Sequence, residues 1–248
     1  MSNWNLLKEG TIKSFSIKEQ VESFYKLRPR EWVLLGAMLL ATIISFAFGG
    51  FFDVYSWVGL VTSVATAISL ILVDRGFITN YFWGFIGSVA WLIVSIHNNL
   101  IGDIFTQIFY TVMQFVGILM WYKSLNSTGV NTAVVSRKIS KKLAVLSIIG
   151  VIVVYLIVLF TSKSLHGSMI YWDATLLPLG IAGQLLMTYS YRSQWIAWIA
   201  IDAINVYIWT NKLFVENASG ASSMLVLQVV MLIQALYGTY LWFKRTDE

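Results

Sequence analysis

The sequence predicts an all-α membrane protein with eight transmembrane helices, arranged as two parallel three-helix repeats that a single linker helix joins. Three observations lead to this fold class. Of the 248 residues, 58% are hydrophobic and only 12% are charged, whereas a soluble domain carries roughly 25% charged residues. Apolar runs recur at about the 20-residue length that a helix needs to cross a bilayer. Two helix ends also share one glycine–tryptophan–lysine pattern, which indicates an internal duplication.

The first 31 residues are polar and basic, and they lack the apolar core of a secretory signal. We assign residues 1–31 to a cytoplasmic N-terminal segment. Within it, Ile17, Val21, Phe24 and Leu27 recur at helical spacing between charged residues. This pattern favours a weakly amphipathic helix that lies on the membrane surface.

Eight apolar runs follow. We assign residues 32–49 to an additional N-terminal transmembrane helix and residues 54–123 to the first three-helix repeat. Residues 141–162 form the linker helix, and residues 171–244 form the second repeat. The runs are Trp32–Phe48, Val54–Val73, Tyr81–Ile96, Ile104–Tyr122, Leu143–Thr161, Tyr171–Ser190, Trp195–Trp209 and Ser222–Phe243.

The basic residues predict the orientation of the chain. With eight spans, both termini lie on one side, and of the 17 Lys and Arg residues all but Lys163 and Lys212 fall on that side. Because cytoplasmic loops are enriched in Lys and Arg, both termini are expected in the cytoplasm. The net charge of +5 therefore reports topology, and no nucleic-acid partner is predicted. The basic block Arg137–Lys142 is expected to touch anionic lipid.

The duplication is visible at the ends of the fourth and eighth runs, which both read Gly-x-x-x-Trp-x-Lys and begin at Gly117 and Gly238. A three-helix unit ends on the side opposite its start, and one linker helix returns the chain. The two copies therefore have the same orientation, and proteins with such repeats bind their substrate between the copies. The glycines are expected to permit close helix packing. Trp121 and Trp242, beside cytoplasmic lysines, are expected to be interfacial anchors.

The seventh run carries a polar stripe, because Trp198, Asp202 and Asn205 lie on one helical face. An acid and an amide are costly in hydrocarbon unless they face a protein interior or a wet cavity. Amides and aromatic residues on facing spans complete the predicted lining of a ligand cavity. The candidate ligand-binding residues are Trp198, Asp202, Asn205, Gln107, Gln114, Gln184, Gln228, Trp91 and Tyr110.

These residue types indicate the chemistry of the ligand. Amides match hydroxyls and carboxamides, and indoles stack on flat rings and hold cations. No Lys or Arg lies deep in a predicted span, so a phosphate would lack a counter-charge. A neutral or cationic molecule with a flat ring and hydroxyls is therefore favoured. Asp202 either pairs with positive charge or is a protonated hydrogen-bonding group. The two histidines fall in external loops, and no catalytic or phosphate-loop motif occurs, so neither an enzyme nor a cofactor is predicted.

The tryptophans and amide of the seventh run, the two Gly-x-x-x-Trp-x-Lys ends and the one-three-one-three layout resemble the PnuC family of bacterial vitamin transporters, over about residues 50–245. That family is similar to SWEET sugar transporters. The resemblance implies uptake of nicotinamide riboside by facilitated diffusion with alternating access. It also implies trapping by a cytoplasmic kinase, a homotrimer and a location in the bacterial inner membrane.

The resemblance leaves alternatives open. Relatives carry thiamine or riboflavin, and proton-coupled symport through Asp202 is a further possibility. The family pattern places an Asn four residues after a Trp. In this chain the residue four positions after Trp198 is Asp202, and the amide follows at Asn205, so both remain candidates for the ligand contact.

Overall fold

The computed structural model describes residues 2–49, 53–128, 136–166, 168–218 and 220–244, and these residues form eleven helices. Five of the helices, α3, α4, α6, α7 and α11, are long and apolar enough to cross a membrane, which agrees with the predicted all-α membrane protein. The helices are α1 (Asn3–Phe15), α2 (Ile17–Tyr25), α3 (Pro29–Gly49), α4 (Val54–Asp74), α5 (Asn80–His97), α6 (Ile101–Thr128), α7 (Lys141–Ser164), α8 (Ile170–Asp173), α9 (Leu176–Thr188), α10 (Gln194–Phe214) and α11 (Ala221–Lys244).

Local sequence signals place several helix starts. The side chains of Asp53 and Ser140 accept hydrogen bonds from backbone N–H groups in the first turns of α4 and α7, which satisfies donors that a helix start leaves open. The two prolines of the chain, Pro29 and Pro178, lie in the first turns of α3 and α9. A missing N–H costs little there, so the long helices continue without a kink from proline.

Six helices pack in a closed ring. α4 packs on α5, α5 on α6, α6 on α9, α9 on α10 and α10 on α11, and α11 returns to α4. The three ring helices of each predicted repeat therefore meet those of the other repeat at two places, α6 with α9 and α11 with α4. Outside the ring, α3 packs on α4 and α11, and α7 packs on α9.

The two glycines of the duplicated pattern have equivalent surroundings. Gly117 lies against the ring of Tyr81, and Gly238 lies against the ring of Trp195, so closely that a Cβ atom on either glycine would collide with the ring. Tyr81 and Trp195 are each the second residue of their helix, α5 and α10. The prediction that these glycines permit close helix packing is confirmed.

The prediction that Trp121 and Trp242 anchor at the membrane interface is wrong. Their side chains are 0% and 1% exposed. Trp121 packs edge to face on Tyr81 with ring centroids 5.1 Å apart, and Trp242 packs on Trp195 at 6.2 Å. A neighbouring lysine indicates the depth of an indole but not its direction, and here both indoles point into the protein.

Two helices, α1 and α2, precede the first predicted span, where the sequence pattern indicated only the second. The buried face of α2 is polar. The Gln20 amide donates to the carbonyl oxygens of Ser14 and Thr79 at 2.7 and 3.2 Å, and its Oε1 accepts from the Trp83 indole at 3.0 Å. The outer face carries exposed apolar side chains beside charged ones, and Ile17 is 82% exposed. The contact of this face with the membrane stays a prediction.

The sixth predicted span is not one continuous helix. Tyr171–Ser190 is divided into α8 and α9 after Asp173. The Asp173 carboxylate accepts hydrogen bonds from the backbone N–H groups of Gly102 and Asp103, at 2.6 and 3.1 Å, at the start of α6. The break thus lets a residue of the second half cap a helix of the first half.

The seventh predicted span, Trp195–Trp209, is too short. α10 continues to Phe214, so Lys212 belongs to its last turn rather than to an exposed loop. Lys212 is 3% exposed and donates to Ser168 Oγ at 2.8 Å and to the Glu216 carboxylate at 2.7 Å. The polar residues of this helix face the protein interior, which is why hydropathy alone underestimates its length.

Candidate functional site

A cavity of about 130 Å³ lies at the centre of the ring, and all six ring helices contribute to its lining. The lining side chains are mainly amides, aromatic rings and small residues. Seven of the nine predicted ligand-binding residues are among them: Trp91, Gln107, Tyr110, Gln114, Gln184, Trp198 and Asp202. Seven residues that are distant from one another in the sequence therefore lie around one cavity.

The other two predicted residues, Asn205 and Gln228, are not part of this lining. Both are buried, at 2% and 0% exposure. Within the described part of the chain, Asn205 Oδ1 and both amide atoms of Gln228 have no hydrogen-bond partner. Asn205 lies about one helical turn beyond Asp202 on α10. A cavity that opened by one turn along α10 would reach its unpaired oxygen.

Asp103 organises one side of the cavity. Its side chain is 1% exposed. One carboxylate oxygen accepts from the Trp91 indole at 2.7 Å and from Ser95 Oγ at 2.6 Å, and the other accepts from the Gln107 amide at 3.0 Å. Asp103 thus fixes the orientation of two predicted ligand-binding side chains. The sequence does not predict this role directly, although the four-residue spacing between Asp103 and Gln107 places both on one helical face.

The opposite side of the cavity is formed by α10 and the aromatic residue that faces it. The Trp198 ring packs edge to face on Tyr110 with centroids 5.8 Å apart, and its indole N–H donates to Gln194 Oε1 at 3.4 Å. Asp202 is 1% exposed. Its Oδ1 has no partner among the residues that the structure describes. A buried oxygen that can accept a hydrogen bond or carry negative charge therefore faces the cavity.

Glycines on neighbouring helices provide the space for two of the lining side chains. A Cβ atom on Gly84 would stand 2.7 Å from Gln114 Oε1, and one on Gly180 would stand 2.5 Å from the Tyr110 hydroxyl oxygen. Both distances are shorter than side-chain atoms tolerate. The positions of Gln114 and Tyr110 therefore require glycine, which has no side chain, at the facing position of the neighbouring helix.

Trp83 lies on α5, the helix of the first repeat that corresponds to α10 of the second, but unlike Trp198 it does not line the cavity. Its indole N–H donates to Gln20 of α2 instead. In its place α5 contributes small side chains such as Gly84 and Ser88. The two halves of the ring are therefore unequal at this depth, with the larger aromatic ring on α10 and more space on α5.

The lining constrains the ligand. Among the described residues that form it, none is a Lys or an Arg, so a phosphate group would meet the Asp202 carboxyl and several amides without a cation. Amides, indoles and an acid instead suit hydroxyls, a carboxamide and a flat cation. Small-molecule sites usually occupy roughly 300–1,000 Å³. The cavity of about 130 Å³ must therefore widen to admit a ligand.

The chain is similar to known vitamin transporters. The chain is 25% identical over 190 residues to the nicotinamide riboside transporter PnuC of Haemophilus influenzae, covering 76% of this chain and 80% of the relative. It is 25% identical over 241 residues to the nicotinamide riboside transporter PnuC of Neisseria mucosa, covering 96% and 89%. The crystal structure of the vitamin B3 transporter PnuC superposes with a TM-score of 0.80 at 24% identity, covering 94% of this chain and 98% of that chain.

The structural likeness shows a shared fold. Residues 56–244 also match the family described as nicotinamide mononucleotide transporter. This match spans the six-helix ring, the linker helix and the cavity. A transporter family agrees with the absence of catalytic motifs from the sequence. The chain belongs to the nicotinamide mononucleotide transporter family, which is the family of PnuC vitamin transporters that its sequence resembles.

Proposed function

We propose that this chain takes up nicotinamide riboside through the central cavity. The observation that carries the proposal is the lining itself, which has amides, indoles and a buried acid and, among its described residues, no basic side chain. Nicotinamide riboside presents a flat cationic pyridinium, a carboxamide and ribose hydroxyls, which match these groups. The mononucleotide in the description of the family adds a phosphate, for which the cavity provides no cation. The relatives' names point to the same nucleoside.

The positions of the lining residues support one binding mode. The pyridinium ring stacks at Trp198 and Tyr110, whose rings already contact each other. Asp202 faces the positive ring with its unpaired oxygen. Gln107 and Gln114, one helical turn to either side of Tyr110 on α6, meet the carboxamide and hydroxyls. Asn205 and Gln228 contact the ligand once the cavity has extended far enough to reach them.

Transport follows by facilitated diffusion with alternating access. The ring halves meet mainly along α6 with α9 and α11 with α4, so relative movement of the halves opens the cavity to either side. A cytoplasmic kinase then traps the nucleoside by phosphorylation, which sustains inward flux without ion coupling.

The membrane arrangement that we propose has eight spans in the order one, three, one and three. α3, α4, α5, α6, α7 and α11 each form one span, α8 and α9 together form the sixth, and α10 forms the seventh. The positive-inside rule places both termini in the cytoplasm of a bacterial inner membrane. The assembly that we propose, from the family resemblance, is a homotrimer.

Calorimetry on the purified protein tests the ligand and the site. Nicotinamide riboside is expected to bind more tightly than its mononucleotide, thiamine or riboflavin. Trp198→Ala and Asn205→Ala should each weaken binding at least tenfold, about 1.4 kcal/mol. Trp172→Ala, at a side chain that is 47% exposed outside the cavity, is the matched control. Tighter binding of thiamine or riboflavin would refute the ligand, and unchanged affinity in both cavity variants would refute the site.

A second candidate mechanism, proton-coupled symport, is favoured by one observation. Asp202 is 1% exposed, and within the described chain its Oδ1 lacks a partner; a buried acid inside a membrane protein often marks a proton pathway. Uptake into proteoliposomes separates the two mechanisms. Facilitated diffusion predicts equilibration of nicotinamide riboside without an imposed gradient. Strict dependence on a proton gradient, lost in Asp202→Asn, would establish the symporter.

A further inference from the structure

A second cavity, of about 460 Å³, lies outside the ring between α7 and α9. α7 lines it from Leu143 to Val154, and α9 and the residues after it line it from Pro178 to Tyr191. Nearly all of the lining side chains are apolar. We call this cavity the α7–α9 groove. A Cβ atom added to Gly150 would meet nothing within 4 Å, so the groove is open beside the middle of its α7 wall.

The length of the groove matches one leaflet of a bilayer. From Leu143 to Val154 a helix rises about 16 Å, at about 1.5 Å per residue. The hydrocarbon core of a bilayer is about 30 Å thick, so one leaflet contributes about half of that. The groove begins at the first turn of α7, the basic end of this helix. An acyl chain of the leaflet on that side has the right length and polarity to fill it.

Basic residues cluster at the end of the groove where α7 starts. The backbone N–H of Arg137 donates to the Ser190 carbonyl at 2.8 Å, and the Arg137 carbonyl accepts from the Arg192 N–H at 2.9 Å. This pairing holds Arg137 beside Tyr189 and Tyr191, which line the groove. The exposed residues of the basic cluster are Arg137, Lys138, Lys141 and Lys142.

Two features make this end suited to a phosphate. The lysines Lys141 and Lys142 are the first two residues of α7, where the helix dipole and the open N–H groups also favour negative charge. The Tyr189 side chain is 48% exposed at the same end. A neutral lipid or a second basic protein surface would leave these charges without a partner.

We propose that the α7–α9 groove binds an anionic phospholipid of the leaflet that adjoins the basic cluster, with one acyl chain along the groove and the phosphate at Lys141, Lys142 and Arg137. The basic cluster favours an anionic headgroup over a neutral one. The groove holds one acyl chain against the protein, so this lipid stays bound while the surrounding bilayer lipid exchanges. The site is separate from the central cavity, and it does not depend on which vitamin the protein carries.

The experiment measures thermal unfolding of the purified full chain in neutral detergent with added phosphatidylglycerol or phosphatidylcholine of identical acyl chains. Gly150→Leu fills the groove without a collision, and the pair Lys141→Gln with Lys142→Gln removes charge without filling it. Gly36→Leu is the matched control, because a Cβ atom on Gly36 of α3 also meets nothing within 4 Å.

The proposal predicts that phosphatidylglycerol raises the unfolding temperature at a concentration at least tenfold below that of phosphatidylcholine, in the wild type and in Gly36→Leu. This preference should disappear in Gly150→Leu and fall severalfold in the double lysine variant. Equal effects of the two lipids on the wild type would overturn the proposal. A full preference for phosphatidylglycerol in both Gly150→Leu and the double lysine variant would also overturn it.

A mass measurement by light scattering addresses the other possible occupant, a second copy of this chain. If Gly150→Leu reduces the oligomer size while the double lysine variant keeps its full lipid preference, the groove is a subunit interface and the proposal is overturned. An unchanged oligomer with a lost lipid preference supports it. If Gly150→Leu does not fold, the double lysine variant and the comparison of the two lipids decide the question alone.

Discussion

Replacing Gly84 by Ala should weaken ligand binding without weakening the fold. A Cβ atom on Gly84 would stand 2.7 Å from Gln114 Oε1, where ordinary contact begins at 3.4 Å, so the amide must move by about 0.7 Å. The end of a glutamine is flexible and borders the cavity, so it can give way. Alanine also suits a helix interior better than glycine by roughly 0.5–1 kcal/mol. The free energy of unfolding should therefore stay unchanged or rise.

The effect on affinity has the opposite sign. Hydrogen bonds from an amide span roughly 2.7–3.2 Å, and a shift of about 0.7 Å takes a bond of normal length beyond that range. A lost hydrogen bond costs roughly 0.5–1.5 kcal/mol. The Kd for nicotinamide riboside should accordingly rise by roughly two- to tenfold.

Calorimetry and a thermal unfolding scan on the same preparations measure both quantities. Gly150→Ala is the control, because its Cβ atom meets nothing within 4 Å and it lies on α7, outside the ring. It should gain the same helix stability and keep the wild-type affinity. An unchanged Kd in Gly84→Ala would refute the assignment of Gln114 as a ligand contact. An equal loss of affinity in Gly150→Ala would show that the effect does not come from the cavity.

Three further predictions concern the supports of the site. Asp103→Ala removes three hydrogen bonds, which average roughly 0.6 kcal/mol each inside membrane proteins. In calorimetry it should weaken nicotinamide riboside binding more than Asp103→Asn, which keeps an acceptor. Equal losses of affinity in the two variants would contradict the positioning role. Gly117→Ala should lower the unfolding temperature by several degrees, since overpacking against the buried Tyr81 ring costs roughly 1–3 kcal/mol; an unchanged temperature would contradict the close packing. Gln20→Ala should increase hydrogen exchange in α1 and α2 while the exchange of α10 stays the same, because it breaks the bond to Trp83 but touches no cavity residue.

The helical spacing of polar residues predicted most of the cavity because it reports a face of a helix directly. Trp198 and Asp202 share a face whatever the neighbours are, and a polar face in an apolar helix has to point inward. The spacing does not report which partner a residue meets. The three bonds of Asp103 come from two helices, and the two partners on α5, Trp91 and Ser95, are not visible in the local pattern of α6.

The wrong predictions have the same cause. Trp121 was assigned from the lysine two residues later, but the N-terminal helix α1 packs on α6, and Leu7 joins the apolar cluster that contains Trp121. The break between α8 and α9 is not predicted because the run Tyr171–Ser190 has the length and the overall hydropathy of a single span. The reason for it is the tertiary bond from Asp173 to the start of α6, which no hydropathy window contains.

The N-terminal helices α1 and α2 can dock only after later parts of the chain have been synthesised. Gln20 bonds to Trp83, 63 residues later, and the Tyr122 hydroxyl donates to Glu9 across 113 residues. At about 5–20 residues per second, the ribosome needs roughly 6 to 23 s after Glu9 to produce its partner, Tyr122. The polar N-terminal segment therefore waits in the aqueous phase until α5 and α6 have been made. It is the first part of the protein to be synthesised but docks on these later helices, so its protection from proteases would report that the first half of the ring has formed.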